Sequence, residues 1–159
     1  MSLATRATRY LDSRGIAYRL MPYEHKEKGA EYAARALEFP LERTIKTLVV
    51  EVASKGYFFV LMPGHLQLDL KALAKALGAK KAQMADAKTA EKLTGYLTGG
   101  ISPFGAKKQL PVVMEQSLVE HKEVLINGGQ RGLLLLMDPE DIRVATQAKV
   151  FRIARNKNH

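Results

Sequence analysis

Residues 47–62 read TLVVEVASKGYFFVLM, two runs of β-branched, aromatic and aliphatic residues joined by Ala53-Ser54-Lys55-Gly56. Runs of this composition favour strands, and a four-residue connection that ends in glycine is typical of a hairpin. We therefore predict that residues 47–52 and 57–62 are paired strands at the centre of an antiparallel sheet.

The segments on either side of this hairpin predict helices that flank the sheet. Asp69 and Asp86 are expected to cap two of them, and Gly78 and Gly95 to end them. Helices are predicted at 3–14, 30–38, 70–77, 87–93 and 140–146, and further strands at 16–21, 112–115, 123–126, 133–137 and 149–153. The fold class is α+β: a mixed, mainly antiparallel sheet or a partly closed barrel flanked by helices, in a single domain over residues 1–159.

Composition excludes several kinds of chemistry. The chain has 159 residues and no cysteine, which rules out disulfides, a cysteine nucleophile and a thiolate metal site. Its 25 Lys and Arg against 16 Asp and Glu give a net charge of +9, which attracts polyanions in a salt-dependent way. No apolar run approaches the length of a membrane span, so we expect a cytoplasmic protein without membrane contact.

Two glycine-rich segments are candidates for a ligand site: GYLTGGISPFG at 95–105 and NGGQRG at 127–132. A Gly-Gly pair permits positive φ and lets a ligand approach backbone N–H groups, which are competent oxyanion donors. The alternative is that both segments are simple turns between strands.

Two side chains add to these segments. Lys46 has the reach and charge to hold a phosphate or a carbonyl that gains negative charge, and Tyr23 offers a ring for stacking and a hydroxyl. A solvated edge lysine and a core tyrosine are the alternatives. The four histidines show no ligand spacing, and no nucleotide-binding glycine pattern occurs, so we expect neither a metal nor a cofactor.

Lys46-Thr47-Leu48, the segment 94–105 and the segment 128–133 occur in the order and approximate spacing of the YbaK family. The chain resembles this family over essentially its whole length. Its members are relatives of the editing domain inserted in bacterial prolyl-tRNA synthetases. The resemblance implies a deacylase that removes mischarged cysteine from Cys-tRNA(Pro), with the thiol of the substrate attacking its own ester. The partners that it implies are the 3′ end of an aminoacylated tRNA and prolyl-tRNA synthetase.

The resemblance also assigns roles to residues. Lys46 would hold the terminal phosphate or the ester carbonyl, while the backbone of Gly99 and Gly100 would face the oxyanion. The substrate would be bound by Tyr23, Thr47, Ile101, Ser102, Pro103, Asn127, Gly128 and Gly129. Asn127 stands where the family pattern has a serine, and Gly29 where it has an aromatic residue.

Three other functions compete with this one. An alanyl-tRNA deacylase, or one of another specificity, would use a positioned water. A non-catalytic module would bind tRNA or a synthetase without turnover. A general DNA- or RNA-binding protein is disfavoured because aromatic and basic residues are not interleaved in a nucleic-acid motif, and no DNA partner is expected.

Overall fold

The computed structural model describes residues 3–156, which form five α-helices and ten strands. The helices are α1 (Arg6–Ser13), α2 (Ala30–Ala36), α3 (Leu70–Ala76), α4 (Ala87–Thr94) and α5 (Pro139–Thr146). Short 3-10 helices cover Leu41–Arg43 and Gln116–Glu120. The strands are β1 (Arg19–Pro22), β2 (Ile45–Val52), β3 (Gly56–Pro63), β4 (Leu66–Leu68), β5 (Ala82–Met84), β6 (Val112–Glu115), β7 (Val124–Gln130), β8 (Leu133–Met137), β9 (Lys149–Phe151) and β10 (Ala154–Asn156).

The predicted hairpin is confirmed as the centre of the largest sheet. Strands β2 and β3 pair antiparallel from Ile45–Pro63 to Val52–Gly56, within the order β5-β2-β3-β6-β9. The β3–β6 and β6–β9 pairs are parallel, and the β2–β5 pair is antiparallel.

A second, antiparallel sheet has the order β1-β8-β7, and β10 pairs with β4. The two larger sheets meet just before β2, where Thr44 forms an isolated parallel bridge with Leu125 of β7. The described strands thus form three separate sheets and not a closed barrel. The predicted α+β class with a mixed, mainly antiparallel sheet is confirmed in its open form.

Several predicted boundaries need correction. The first helix begins at Arg6 because Thr5 is extended and serves as its N-cap, and the following strand begins only at Arg19. Strand β7 continues to Gln130, since the segment 127–130 pairs onward with β8 and its two glycines are absorbed by a bulge. The predicted strand 149–153 ends at Phe151, and β10 follows separately. Asp69 and Asp86 cap α3 and α4 as predicted.

Strand β3 is buried on both faces. Phe59 and Leu61 belong to the main core, under α1 and the three-stranded sheet, while Val60 and Met62 belong to a second core that α3 covers. Burial of both faces explains why this strand is continuously apolar instead of alternating. Each such side chain contributes roughly 1.5–3 kcal/mol on burial. No helix among residues 3–156 is long and apolar enough to cross a bilayer.

The N-terminus of α1 is attached to the β7 bulge. The buried Thr5 hydroxyl accepts a hydrogen bond from the Thr8 amide at 3.1 Å and donates one to the Gly128 carbonyl at 2.6 Å. A single hydroxyl therefore caps the helix and fixes the bulge.

Replacement of Thr5 by alanine should lower the free energy of unfolding by about 2 kcal/mol, because the cap is lost and the Gly128 carbonyl loses a buried partner. Thr5→Ser keeps the hydroxyl and should retain most of the stability. Asp86→Ala removes an exposed cap that has no buried partner and should cost less stability than Thr5→Ala. Urea denaturation measures all three, and equal losses for Thr5→Ala and Asp86→Ala would show that the bond to Gly128 contributes nothing.

Candidate functional site

A cavity of about 250 Å³ lies between the first half of β2 and β7, and it is bordered by α2 and the 95–105 segment. It forms here because β5 pairs only with Val50–Val52, which leaves the first half of β2 beside β7. The lining residues are Tyr23, Lys28, Gly29, Ala30, Ala33, Thr44, Ile45, Lys46, Thr47, Thr98, Gly99, Ile101, Asn127 and Leu134.

The structure brings six of the predicted site residues together at this cavity: Tyr23, Lys46, Thr47, Gly99, Ile101 and Asn127. The other five do not line it: Gly100, Ser102, Pro103, Gly128 and Gly129. Sequence reasoning assigned no role to Lys28 or Thr98, although Thr98 directly precedes the Gly-Gly pair. Its position next to that pair was the sequence signal that could have identified Thr98 as a site residue.

The cavity wall is positively charged. Lys46, half-buried on β2 opposite Met62, and the exposed Lys28 both line it. None of the described lining residues carries a carboxylate. Two lysine ammonium groups on one wall suit a phosphate or a developing oxyanion.

Asn127 joins the two glycine segments. Its Nδ2 donates to the Gly99 carbonyl at 2.9 Å, and its Oδ1 accepts from the Gly129 amide at 3.2 Å. A Cβ on Gly100 would lie 3.0 Å from the Arg131 nitrogen and from the Gln130 carbonyl carbon. Glycine at position 100 is what allows the two backbones to approach, and Asn127 then holds them.

Backbone bonding limits which N–H groups can face a ligand. The Gly100 amide donates to the Leu97 carbonyl at 2.8 Å, and the Gly129 amide is bonded to Asn127. Of the two glycines assigned to the oxyanion, only Gly99 lines the cavity. The predicted role of the Gly-Gly backbone as oxyanion donor therefore rests on Gly99.

Hydrogen bonds from its own side chains stabilise the conformation of the 95–105 segment. The Tyr96 hydroxyl donates to the Phe104 carbonyl, and burial raises the pKa of Tyr96 to about 12, with Arg6 and Arg9 opposing the shift. The buried Ser102 hydroxyl accepts from the Phe104 amide at 3.1 Å. Both side chains shape the loop instead of facing the cavity.

Hydroxyl groups on the cavity wall can form hydrogen bonds with a small ligand. Burial raises the pKa of the Tyr23 phenol, so this group is protonated and able to donate at neutral pH. The hydroxyl oxygen of Thr47 is buried and finds no hydrogen-bond partner within residues 3–156. An unsatisfied buried hydroxyl costs about 1–3 kcal/mol, a cost that a bound polar group would relieve after a small rearrangement.

The described lining residues include no cysteine, serine or histidine, and no three metal-ligating side chains cluster in the part of the chain that the structure describes. What the cavity offers is cations, hydroxyls and a glycine backbone around a small volume. Such a site can position a reactive substrate and stabilise negative charge on it.

Comparisons with known proteins agree with this geometry. The model of the "Aminoacyl-tRNA editing domain" matches residues 24–145. The Enterococcus faecalis protein named "Putative Cys-tRNA(Pro)/Cys-tRNA(Cys) deacylase EbsC" is 34% identical over 94% of this chain and 92% of its own. The Escherichia coli "Multifunctional Ser/Thr-tRNA deacylase ProXp-y" is 26% identical over 91% of this chain and 89% of its own. A crystal structure described as "a putative trans-editing enzyme for prolyl tRNA synthetase" superposes with a TM-score of 0.86 at 27% identity, over 98% of this chain and all of that one.

Asn127→Ala should lower the free energy of unfolding by about 2 kcal/mol and speed amide exchange at Gly129, because both bridging bonds are lost. Gln83→Ala removes an exposed amide that bonds to Glu51 at 2.9 Å, and should change stability by less than about 0.5 kcal/mol. Urea denaturation and hydrogen exchange report the two quantities. Unchanged exchange at Gly129 in Asn127→Ala would contradict the bridging role.

Proposed function

Because this chain belongs to the aminoacyl-tRNA editing domain family, we propose that it is a trans-editing deacylase that removes mischarged cysteine from Cys-tRNA(Pro) in the cytoplasm. The observation that carries the proposal is the cavity that Lys28, Lys46 and a glycine backbone line together. A polyanion that ends in a small activated ester fits this chemistry.

The size of the cavity favours a small amino acid. Its volume of about 250 Å³ lies below the roughly 300–1,000 Å³ of common ligand pockets. An aminoacyl group of cysteine size fits inside, while the terminal adenosine stays at the mouth, near Lys28 and Tyr23. Ile101 and Leu134 supply apolar contacts to the side chain.

The reaction needs no protein nucleophile. An aminoacyl ester is already activated, and the cysteine thiol can attack its own ester carbonyl. The new bond is S–C, the broken bond is the ester C–O bond to the ribose, and the thiol proton passes to the departing ribose oxygen. Lys46 and the Gly99 amide would stabilise the negative charge on the carbonyl oxygen during this step.

Specificity has a second candidate with support of its own. The unsatisfied hydroxyl of Thr47 favours a substrate with a polar side chain, and the E. coli relative is named for serine and threonine. A seryl or alanyl substrate lacks the thiol and would require a positioned water. A pocket separates side chains that differ by one methylene by only about 1–3 kcal/mol, so thiol chemistry provides selectivity that fit alone does not.

The deciding experiment follows ester loss and product with Cys-, Ala-, Ser- and Pro-tRNA(Pro). We expect Cys-tRNA(Pro) to react fastest and to release a cysteine thiolactone, with Pro-tRNA(Pro) left intact. Lys46→Ala should slow release about 10²–10³-fold, as expected for a group that stabilises the oxyanion. Lys71→Ala, which removes an exposed lysine on α3, is the matched control and should leave the rate unchanged.

Each product pattern has one meaning. Preferential release of serine or alanine as the free acid would keep the deacylase and overturn the cysteine assignment. Binding of every tRNA without release from any would favour the non-catalytic module. Equal rates for Lys46→Ala and the wild-type protein would remove Lys46 from the site.

We also propose a contact with prolyl-tRNA synthetase, since a small editor gains access to mischarged tRNA where that tRNA is made. Light scattering of the two proteins with tRNA(Pro) at micromolar concentrations should detect a complex. Elution of both proteins at their separate masses would count against it.

A further inference from the structure

A line of basic side chains leads away from the cavity along the segment 95–99. A Cβ on Gly99 would lie 3.4 Å from Arg131 Nε and 3.5 Å from Lys28 Cγ. At the other end, a Cβ on Gly95 would lie 2.5 Å from Arg6 Nη1 and 3.2 Å from Lys107 Cβ. We call Arg6, Lys28, Lys107 and Arg131, with the segment 95–99 between them, the basic strip.

The strip is held in place by the protein. The Arg131 Nε donates to the Thr98 carbonyl at 2.8 Å, and the Arg6 guanidinium lies 5.8 Å from the centre of the Tyr96 ring. The Glu91 carboxylate accepts from the Thr98 amide at 2.7 Å and fixes the backbone between the two pairs. These contacts hold the Arg131 and Arg6 guanidinium groups in place, so these two side chains lose less entropy on binding.

The charges of the strip are not neutralised by ion pairs. None of its four basic residues takes part in a salt bridge within the described residues 3–156, where the bridges found involve Lys26, Arg35 and Arg143. The Glu91 carboxylate faces the strip, and its pKa is lowered first by the Thr98 hydrogen bonds and then by Arg131 and Lys28. Four basic side chains that form no ion pair among the described residues give a surface that suits a phosphate backbone.

The dimensions of the strip fit a nucleic-acid strand. The four peptide steps from Gly95 to Gly99 span at most about 14 Å, a reach of no more than about four nucleotides at 3.4 Å each. Between the two basic pairs stands Leu97, whose side chain is 60% exposed. An exposed apolar side chain between phosphate-binding groups can contact an unstacked base or a ribose.

We propose that the basic strip binds the phosphates of the tRNA acceptor strand just before its 3′ end, so that Lys28 and Arg131 hold the phosphates nearest the cavity and Arg6 and Lys107 those further along. This inference rests on the proposed deacylase function, because that function places the 3′ end of the strand in the cavity and so sets the direction in which the strand runs along the strip. It identifies the surface by which the chain distinguishes a tRNA end from a free aminoacyl ester.

The test measures binding of an acceptor-stem minihelix with a single-stranded 3′ end, across a series of salt concentrations. Arg6→Gln/Lys107→Gln should weaken binding about 10- to 30-fold at 0.1 M salt and reduce the log–log salt slope by about 1–2. Lys71→Gln/Lys80→Gln removes two exposed lysines elsewhere and should change neither quantity. If the double variant has a lower melting temperature than the wild-type protein, Lys107→Glu alone replaces it in the binding measurement, because Lys107 is exposed.

A salt slope that is the same in the strip variant and the wild-type protein would overturn the proposal, as would an equal loss in the Lys71/Lys80 control. Kinetics separate this failure from that of the deacylase function. The strip variant should raise the KM for aminoacyl-tRNA while leaving the deacylation of 3′-aminoacyl-adenosine unchanged. Strip-dependent binding without any deacylation supports the surface but refutes the enzyme, and deacylation with an unchanged KM does the reverse.

Discussion

The two bonds of the Asn127 amide determine how the site is built. One bond reaches the Gly99 carbonyl and the other the Gly129 amide, so two segments that lie about 30 positions apart act as one wall. Gly100 permits this contact because a side chain there would meet the backbone of Gln130 and Arg131. Thr5 adds a third connection by bonding to Gly128 behind the wall. The cavity is therefore shaped mainly by backbone that is held from outside, and few of its lining side chains need to be rigid themselves.

This construction suits a reaction in which the substrate carries its own reactive groups. The wall supplies charge through Lys46 and Lys28 and hydrogen-bonding groups through Tyr23, Thr47 and Thr98, but no cysteine, serine or histidine. The buried Thr47 hydroxyl finds no partner among the described residues, which lowers the stability of the protein, and a bound polar group would recover part of that loss. The stability given up at the cavity is available as binding energy for the ligand.

The sequence predicted the elements whose signals are local. The β-branched runs of β2 and β3 and the Asp69 and Asp86 caps depend on neighbouring residues alone, and the structure places them as predicted. The Gly128-Gly129 pair was expected in a loop, because a bulge inside a strand has the same local composition as a turn. Which glycines face the cavity depends on pairing between distant strands, and so does the approach of Lys28 to Gly99. No local pattern encodes those contacts.

The bond between Thr5 and Gly128 joins positions 123 residues apart, and this separation governs the order of events during synthesis and folding. Closing a loop of that length costs entropy before any contact offsets it, and folds with many distant pairings form slowly. A growing chain cannot complete the wall of the cavity until β7 and β8 have left the ribosome. The cavity wall is therefore incomplete for most of the synthesis of the chain, and it is assembled only after residues 127–129 have emerged.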